Sequence, residues 1–220
     1  SSAASDVYKR QVQDALSAGA DAHGYPTTAG TPQLREAIAG WYSRSRGVSV
    51  APDAILPTVG SKELVAWLPT LLGLKELGLG VAGPALAYPT YRMGATIAGV
   101  EFRQLDAHEI AEGASLEGIG LVWLNSPANP TGRVLDAQTL RKVVEATRKA
   151  GVVVASDECY ALLNWEAQAP SLLDPAVAGD DHSGLLSVYS LSKQSNLAGY
   201  RAAFVAGDQS LIADLINTRK

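Results

Sequence analysis

The sequence predicts an α/β fold built on one mostly parallel sheet, and three observations carry that expectation. Apolar runs of strand length, such as Gly120-Leu121-Val122-Trp123-Leu124 and Val152-Val153-Val154-Ala155, alternate with stretches whose apolar residues recur at helical spacing. Two of these runs lead directly into polar groups, Asn125-Ser126 and Ser156-Asp157, the place where open α/β sheets present residues to a ligand. With 220 residues, 47% of them hydrophobic, the chain can also bury one large core.

The elements follow in order. Val12 to Ala20 reads as the end of a helix, and His23 to Thr31 as a Gly/Pro/Thr loop. Pro32 then opens a helix with Leu34, Ile38 and Trp41 at helical spacing. Ala54 to Val59 is a short strand entering a turn at Gly60, and Lys62 to Gly73 is a helix with Leu64, Trp67, Leu68 and Leu71 on its core face. Leu79–Ala82 and Val100–Leu105 are strands flanking a helix that carries Gly94. Next come strand Gly120–Leu124, a helix from Asp136 to about Ala150, strand Val152–Ser156, a polar excursion from Glu166 to Ser183, and strand Leu185–Tyr189. A final helix starts near Asp208, whose carboxylate can cap it.

Bulk properties exclude several classes. The 18 basic and 22 acidic residues give a net charge of −4, and the basic ones are scattered, so no nucleic-acid or polybasic membrane footprint is visible. The most apolar stretch, Leu68 to Leu79, is broken by Pro69, Gly73, Lys75 and Glu76, too short for a bilayer. The single cysteine, Cys159, rules out an internal disulfide framework and fits a reducing compartment, so a cytoplasmic protein is expected. His23, His108 and His182 share no ligand spacing, and no metal site is expected. The lack of a Gly-x-Ser-x-Gly elbow after a strand disfavours a Ser-His-Asp hydrolase.

The chemistry concentrates in Ser190-Leu191-Ser192-Lys193, with Arg201 eight residues beyond the lysine. An amine beside hydroxyls and a guanidinium suits a cofactor that carries both an aldehyde and a phosphate. Burial of such a lysine favours the neutral, nucleophilic amine, and a buried Lys193 is therefore expected. A pyridine ring would further need a carboxylate near its nitrogen, donors near its phenolic oxygen, and amides for its phosphate. Asp157, then Asn129 with Tyr160, then the Gly60-Ser61-Lys62 turn can supply these. Ser61 could equally be a plain N-cap, any one serine a turn cap, and Asn129-Pro130 merely a turn. Glu158 and Cys159 are expected to pack or to face the sheet.

Together these residues resemble the fold-type I pyridoxal-phosphate aminotransferases of class I/II, from about Gly24 to the end of the chain. The likeness rests on Gly24-Tyr25-Pro26-Thr27-Thr28, Gly60-Ser61-Lys62-Glu63, Ala87-Tyr88-Pro89-Thr90-Tyr91, Asn129-Pro130-Thr131-Gly132, Asp157-Glu158-Cys159-Tyr160 and Ser190 to Arg201. Within that family the text is most similar to the actinobacterial N-succinyldiaminopimelate aminotransferases. The resemblance implies a three-layer α/β/α PLP-transferase large domain with pyridoxal 5′-phosphate as cofactor. It makes Lys193 the lysine that joins the cofactor aldehyde and moves the substrate proton, and Asp157 the partner of the ring nitrogen. Asn129 and Tyr160 serve the phenolic oxygen, Tyr88 (with Tyr91 as the weaker alternative) stacks on the ring, and Ser190, Ser192, Arg201 and the Gly60-Ser61-Lys62 cup hold the phosphate. Tyr25, followed five residues later by Gly30, resembles the tyrosine that reaches the phosphate of a neighbouring subunit, which implies a homodimer.

The implied activity is ping-pong amino transfer from glutamate to a keto or semialdehyde acceptor, in the resembled subfamily N-succinyl-2-amino-6-oxopimelate of lysine biosynthesis. Alternatives are another fold-type I activity, such as a different aminotransferase or a carbon–sulfur lyase, and the aminotransferase-like domain of a transcription regulator. Asp6-Val7-Tyr8-Lys9-Arg10-Gln11 reads as a translated sequencing-library adapter. Residues 1–11 are therefore set aside as a non-native leader, and 12–220 is expected to be an incomplete PLP-binding large domain with the small-domain segments absent at both ends. The family's arginine for the substrate α-carboxylate would then lie beyond Lys220, leaving the cofactor kit without the full substrate clamp.

Overall fold

The computed structural model describes residues 10–220. Its organising element is the strand β4 (Ile119–Asn125), all seven residues of which are buried. Its pleat sends Leu121 and Trp123 to one face and Val122 and Leu124 to the other, and each set joins a separate apolar cluster. A strand covered on both sides must be apolar throughout, which is why this run lacks polar alternation.

Among the described residues the sheet has seven strands in the order β1-β7-β6-β5-β4-β2-β3. They are β1 (Ile55–Val59), β2 (Gly80–Gly83), β3 (Phe102–Gln104), β4, β5 (Val153–Asp157), β6 (Leu185–Ser190) and β7 (Ala202–Gly207). The pairs β2–β3, β2–β4, β4–β5 and β5–β6 are parallel, while β7 runs antiparallel between β1 and β6. The mostly parallel sheet is as expected, but β7 had no counterpart in the sequence reading.

One face is covered by α2 (Pro32–Arg46), α5 (Ala107–Ala111), α6 (Ala137–Ala150) and the short α7 (Pro175–Ala178), through Ile38, Tyr42, Ile110, Leu140, Val143, Val144 and Val177. The other is covered by α3 (Ser61–Leu71), α4 (Thr90–Ala98) and α9 (Gln209–Thr218), through Leu64, Val65, Leu68, Tyr91, Ala95, Ile212 and Leu215. This is a three-layer α/β/α arrangement. The helix α1 (Arg10–Ala18) precedes it with no buried residue, and α8 (Leu191–Gln194) is a single turn after β6. Helix α1 takes in Arg10 and Gln11 of the expected leader, and the remaining leader residues lie outside the described ones.

Helix starts follow local rules. Thr31 caps α2 by accepting from the Leu34 amide, Asp136 caps α6 through Thr139, and Asp208 caps α9 through Ser210 and Leu211. Helices α3 and α4 pack closely because residue 94 is glycine: a Cβ there would come within 2.8 Å of the Val65 carbonyl oxygen.

Three expectations need correction. Trp67 is half-exposed; Leu64, Val65 and Leu68 form the core face of α3 instead. Leu34 of α2 is likewise exposed, leaving Ile38 and Tyr42 as its buried residues. The polar text from Glu166 to Ser183 conceals a buried segment: Ala169, Ser171, Leu172, Leu173, Val177 and Ala178 are all interior.

Candidate active site

The site forms where β4, β5 and β6 end side by side. Asn125 pairs with Asp157, and Asp157 with Val188, so the parallel register alone brings three polar strand ends together. Asn125, quoted in the sequence motif but given no role there, ties them. Its Nδ2 donates to the Asp157 carbonyl at 2.9 Å, and its Oδ1 accepts from the Asn129 amide at 2.7 Å. That second bond holds the loop carrying the peptides Ser126–Pro127 and Asn129–Pro130, both cis.

Asp157 is 8% exposed. Its Oδ2 accepts from the Tyr91 hydroxyl at 2.9 Å and its Oδ1 from the Cys159 amide at 3.2 Å. Burial, and next the Asp157 charge, push the Tyr91 phenol and the Cys159 thiol well up, so both stay protonated at neutral pH. Asn129 Nδ2 lies 3.5 Å from the Tyr160 hydroxyl, and the Tyr160 ring centroid is 5.8 Å from Lys193 Nζ. Lys193, on α8, is exposed, contrary to the expected burial. It lines the cavity, on a single helical turn that packs against the turn at residues 198–200 and against β7.

Ser190 ends β6, and its Oγ accepts from the Ser192 amide at 3.2 Å and meets Ser192 Oγ at 2.8 Å. Gly60, not Ser61, occupies the cap position of α3, with φ 76° and ψ 153°. Because Gly60 has no side chain, the first amides of α3 have no side-chain cap. A Cβ at Gly60 would collide with the Arg201 guanidinium, which is held by its bond to the Ala198 carbonyl at 2.9 Å. Arg201 itself sits in the left-handed region, φ 54°.

These groups enclose a cavity of about 500 Å³ lined by Ser61, Lys62, Tyr88, Tyr91, Asn125, Asn129, Asp157, Cys159, Tyr160, Ser190, Ser192, Lys193, Ala198 and Arg201. Of the predicted site residues, Gly60 sits just behind its wall against Arg201, and Tyr25 lies outside it, fully exposed on the loop between α1 and α2. A neighbouring cavity of about 670 Å³ shares Asn129 and Tyr160 and is bounded by Pro127, Leu163, Trp165 and Glu166. Behind the site, Glu158 forms a buried ion pair with Arg46 at 3.0 Å. Among the described residues no group of three or more His, Cys, Asp or Glu could hold a metal ion, and no helix is long and apolar enough to cross a membrane.

The sequence pattern of the family described as aminotransferase class I and II matches residues 2–220. The chain belongs to that family. It is 51% identical over 209 residues to the 4-dedimethylamino-4-oxo-anhydrotetracycline transaminase OxyQ of Streptomyces rimosus, covering 95% of this chain and 57% of that protein. Its fold matches the aminotransferase AspB of Helicobacter pylori with a TM-score of 0.87 at 27% identity, over 97% of this chain and 59% of that one. It also matches the N-succinyldiaminopimelate aminotransferase of Mycobacterium tuberculosis with a TM-score of 0.76 at 27% identity, over 94% and 55%. The chain thus spans between half and three fifths of the length of these relatives.

Membership in this family implies pyridoxal 5′-phosphate, and the cavity fits it. Its lining combines a buried carboxylate with hydroxyls, a guanidinium and uncapped helix amides, and the space that a Cβ at Gly60 would fill is left to the guanidinium. A flat heterocycle with a cationic ring nitrogen and a phosphate has this polarity.

Proposed function

We propose that the protein is a pyridoxal-phosphate-dependent aminotransferase that moves an amino group from glutamate to a keto or semialdehyde acceptor. The observation that carries the reading is one cavity lined together by Lys193, Asp157, Arg201 and Ser190. When bound, the cofactor supplies an electron sink for the carbon that bears the substrate amine. Asp157 holds a proton at the ring nitrogen, while Asn129 Nδ2 and the Tyr160 hydroxyl donate to the phenolic oxygen. Ser190, Ser192, Arg201 and the first amides of α3 hold the phosphate, with Lys62 adding charge, and Tyr88 covers a ring face. Lys193 Nζ would be the group that moves the proton of the substrate α-carbon.

The acceptor we propose is N-succinyl-2-amino-6-oxopimelate, which would place the protein in lysine biosynthesis in the cytoplasm. The likeness of motif text to that subfamily and the fold match to the N-succinyldiaminopimelate enzyme support it. A second reading, a larger polycyclic keto acceptor, is favoured by the 51% identity to the anhydrotetracycline transaminase and by the apolar wall of Pro127, Leu163 and Trp165 beside Tyr160. We further propose a homodimer in which exposed Tyr25 reaches the second copy's phosphate site. The test is a half-reaction: protein loaded with pyridoxal phosphate is mixed with L-glutamate, and 2-oxoglutarate is quantified before an acceptor panel is added. Stoichiometric 2-oxoglutarate supports the donor assignment; loaded protein that releases none contradicts it. The panel then separates the acyclic semialdehyde from polycyclic ketones.

A further inference from the structure

We propose that Tyr91 is a positioning residue, whose hydroxyl fixes the Asp157 carboxylate for the cofactor's ring nitrogen. The inference rests on the cofactor reading given above and extends it to a residue 66 positions away in sequence.

The geometry has three parts. The phenol donates and the carboxylate accepts, 2.9 Å apart in a buried setting, so the bond is charge-assisted. The Cys159 amide donates to the other oxygen at 3.2 Å, so each carboxylate oxygen is tethered by a group of the protein. A carboxylate has about four acceptor sites, and two remain for a ligand. The plane of the group is thereby set before anything binds.

Tyr91 is itself held. Its ring stacks on Trp123 with centroids 5.1 Å apart and planes 19° from parallel, and Trp123 is wholly buried in β4. Helix α4, which carries Tyr91, is seated on α3 through the close approach at Gly94. The hydroxyl therefore cannot swing away without moving the core, and an orientation held by the fold costs nothing at the moment of binding. The remaining ionisable groups around Asp157 are Cys159 and Tyr160 from the segment after β5, with Lys62, Tyr88, Lys193 and Arg201 along the same cavity. Among them, the Tyr91 hydroxyl and the Cys159 amide are the groups bonded to the carboxylate oxygens.

The discriminating measurement compares two ligands, pyridoxal phosphate and its 1-deaza analogue, in which a C–H replaces the ring nitrogen. Dissociation constants are read by absorbance or fluorescence titration on the wild-type chain and on Tyr91→Phe, which keeps the stacked ring. Tyr91→Phe is expected to weaken pyridoxal phosphate roughly tenfold, the effect of losing a charge-assisted bond, and the analogue less than twofold. If both ligands weaken equally, or neither does, the positioning role is overturned. A second variant, 3-fluorotyrosine at position 91, keeps ring and fold but makes the phenol a stronger donor. It is expected to change the analogue-to-cofactor ratio of dissociation constants, and an unchanged ratio there also counts against the proposal. A wild-type chain that binds the two ligands equally, or takes up neither, overturns instead the reading of Asp157 on which the inference rests.

Discussion

Replacing Glu158 by alanine removes the centre of the buried network that anchors the segment after β5. Glu158 Oε2 accepts from Arg46 Nη2 at 3.0 Å, and its Oε1 from the Leu172 amide at 2.7 Å and the Ser171 hydroxyl at 3.2 Å. The two charged side chains are 4% and 1% exposed, so neither can recover its lost partner from water. Removing one member of such a pair costs about 3–5 kcal/mol. In a chain of this length each kcal/mol moves the thermal midpoint by about 2–4 °C, so the fall should be about 6–20 °C. The assay is thermal unfolding followed by circular dichroism, on Glu158→Ala, Arg46→Ala and the double replacement Glu158→Leu with Arg46→Met. Each single change should be severe, and the double change milder than the sum of the two, because no charge is left stranded. A single variant within about 1 kcal/mol of wild type would refute the claim that this pair is desolvated and coupled.

Further expectations concern the site and its pH dependence. Gly60→Ala puts a side chain where φ is 76° and ψ 153°, against the Arg201 guanidinium, and should cost about 1–3 kcal/mol of stability with a clear loss of pyridoxal-phosphate affinity by titration. Asp208→Ala frees the amides of Gly184, Ser210 and Leu211 and should lower unfolding free energy by about 1 kcal/mol in urea titration. Burial raises the Tyr42 and Tyr91 phenols and the Cys159 thiol in the folded chain. Their contribution is therefore full below the unfolded values and is lost as pH rises, so stability should decline above about pH 9. The same burial should leave Cys159 unreactive toward a thiol reagent at pH 8 until the chain unfolds; fast labelling of native protein would contradict it.

The legible parts of this structure are those where one physical rule acts alone. The runs that became β4 and β5 are apolar because both faces are covered, and each leads into a polar residue, while β6 carries a buried Ser187 within its apolar residues and ends at Ser190. Those ends gave Asn129, Asp157, Tyr160 and Ser190 as neighbours, which is where the structure brings them. Strand β7 was hidden because Ala202-Ala203-Phe204-Val205-Ala206 has weak strand propensity; pairing with β1 on one side and β6 on the other makes it a strand. Its apolar run was the available signal. Trp67 was misplaced because helical spacing gives the phase of a helix but not the edge of its buried stripe. The buried segment 169–178 depends on its tie to Glu158, and the Tyr91–Asp157 bond on the packing of α4, neither of which is encoded locally. Exposure of Lys193 likewise reflects which segments surround α8, a tertiary fact with no sequence period.

The most direct test of the account is to trap the cofactor. The chain is incubated with pyridoxal phosphate, reduced with borohydride, digested, and mapped by mass spectrometry. The geometry predicts one stable phosphopyridoxyl label, on Lys193, which lines the same cavity as Asp157 and Arg201. Label spread over exposed lysines such as Lys142 and Lys220, with Lys193 unmodified in a folded chain, would contradict it.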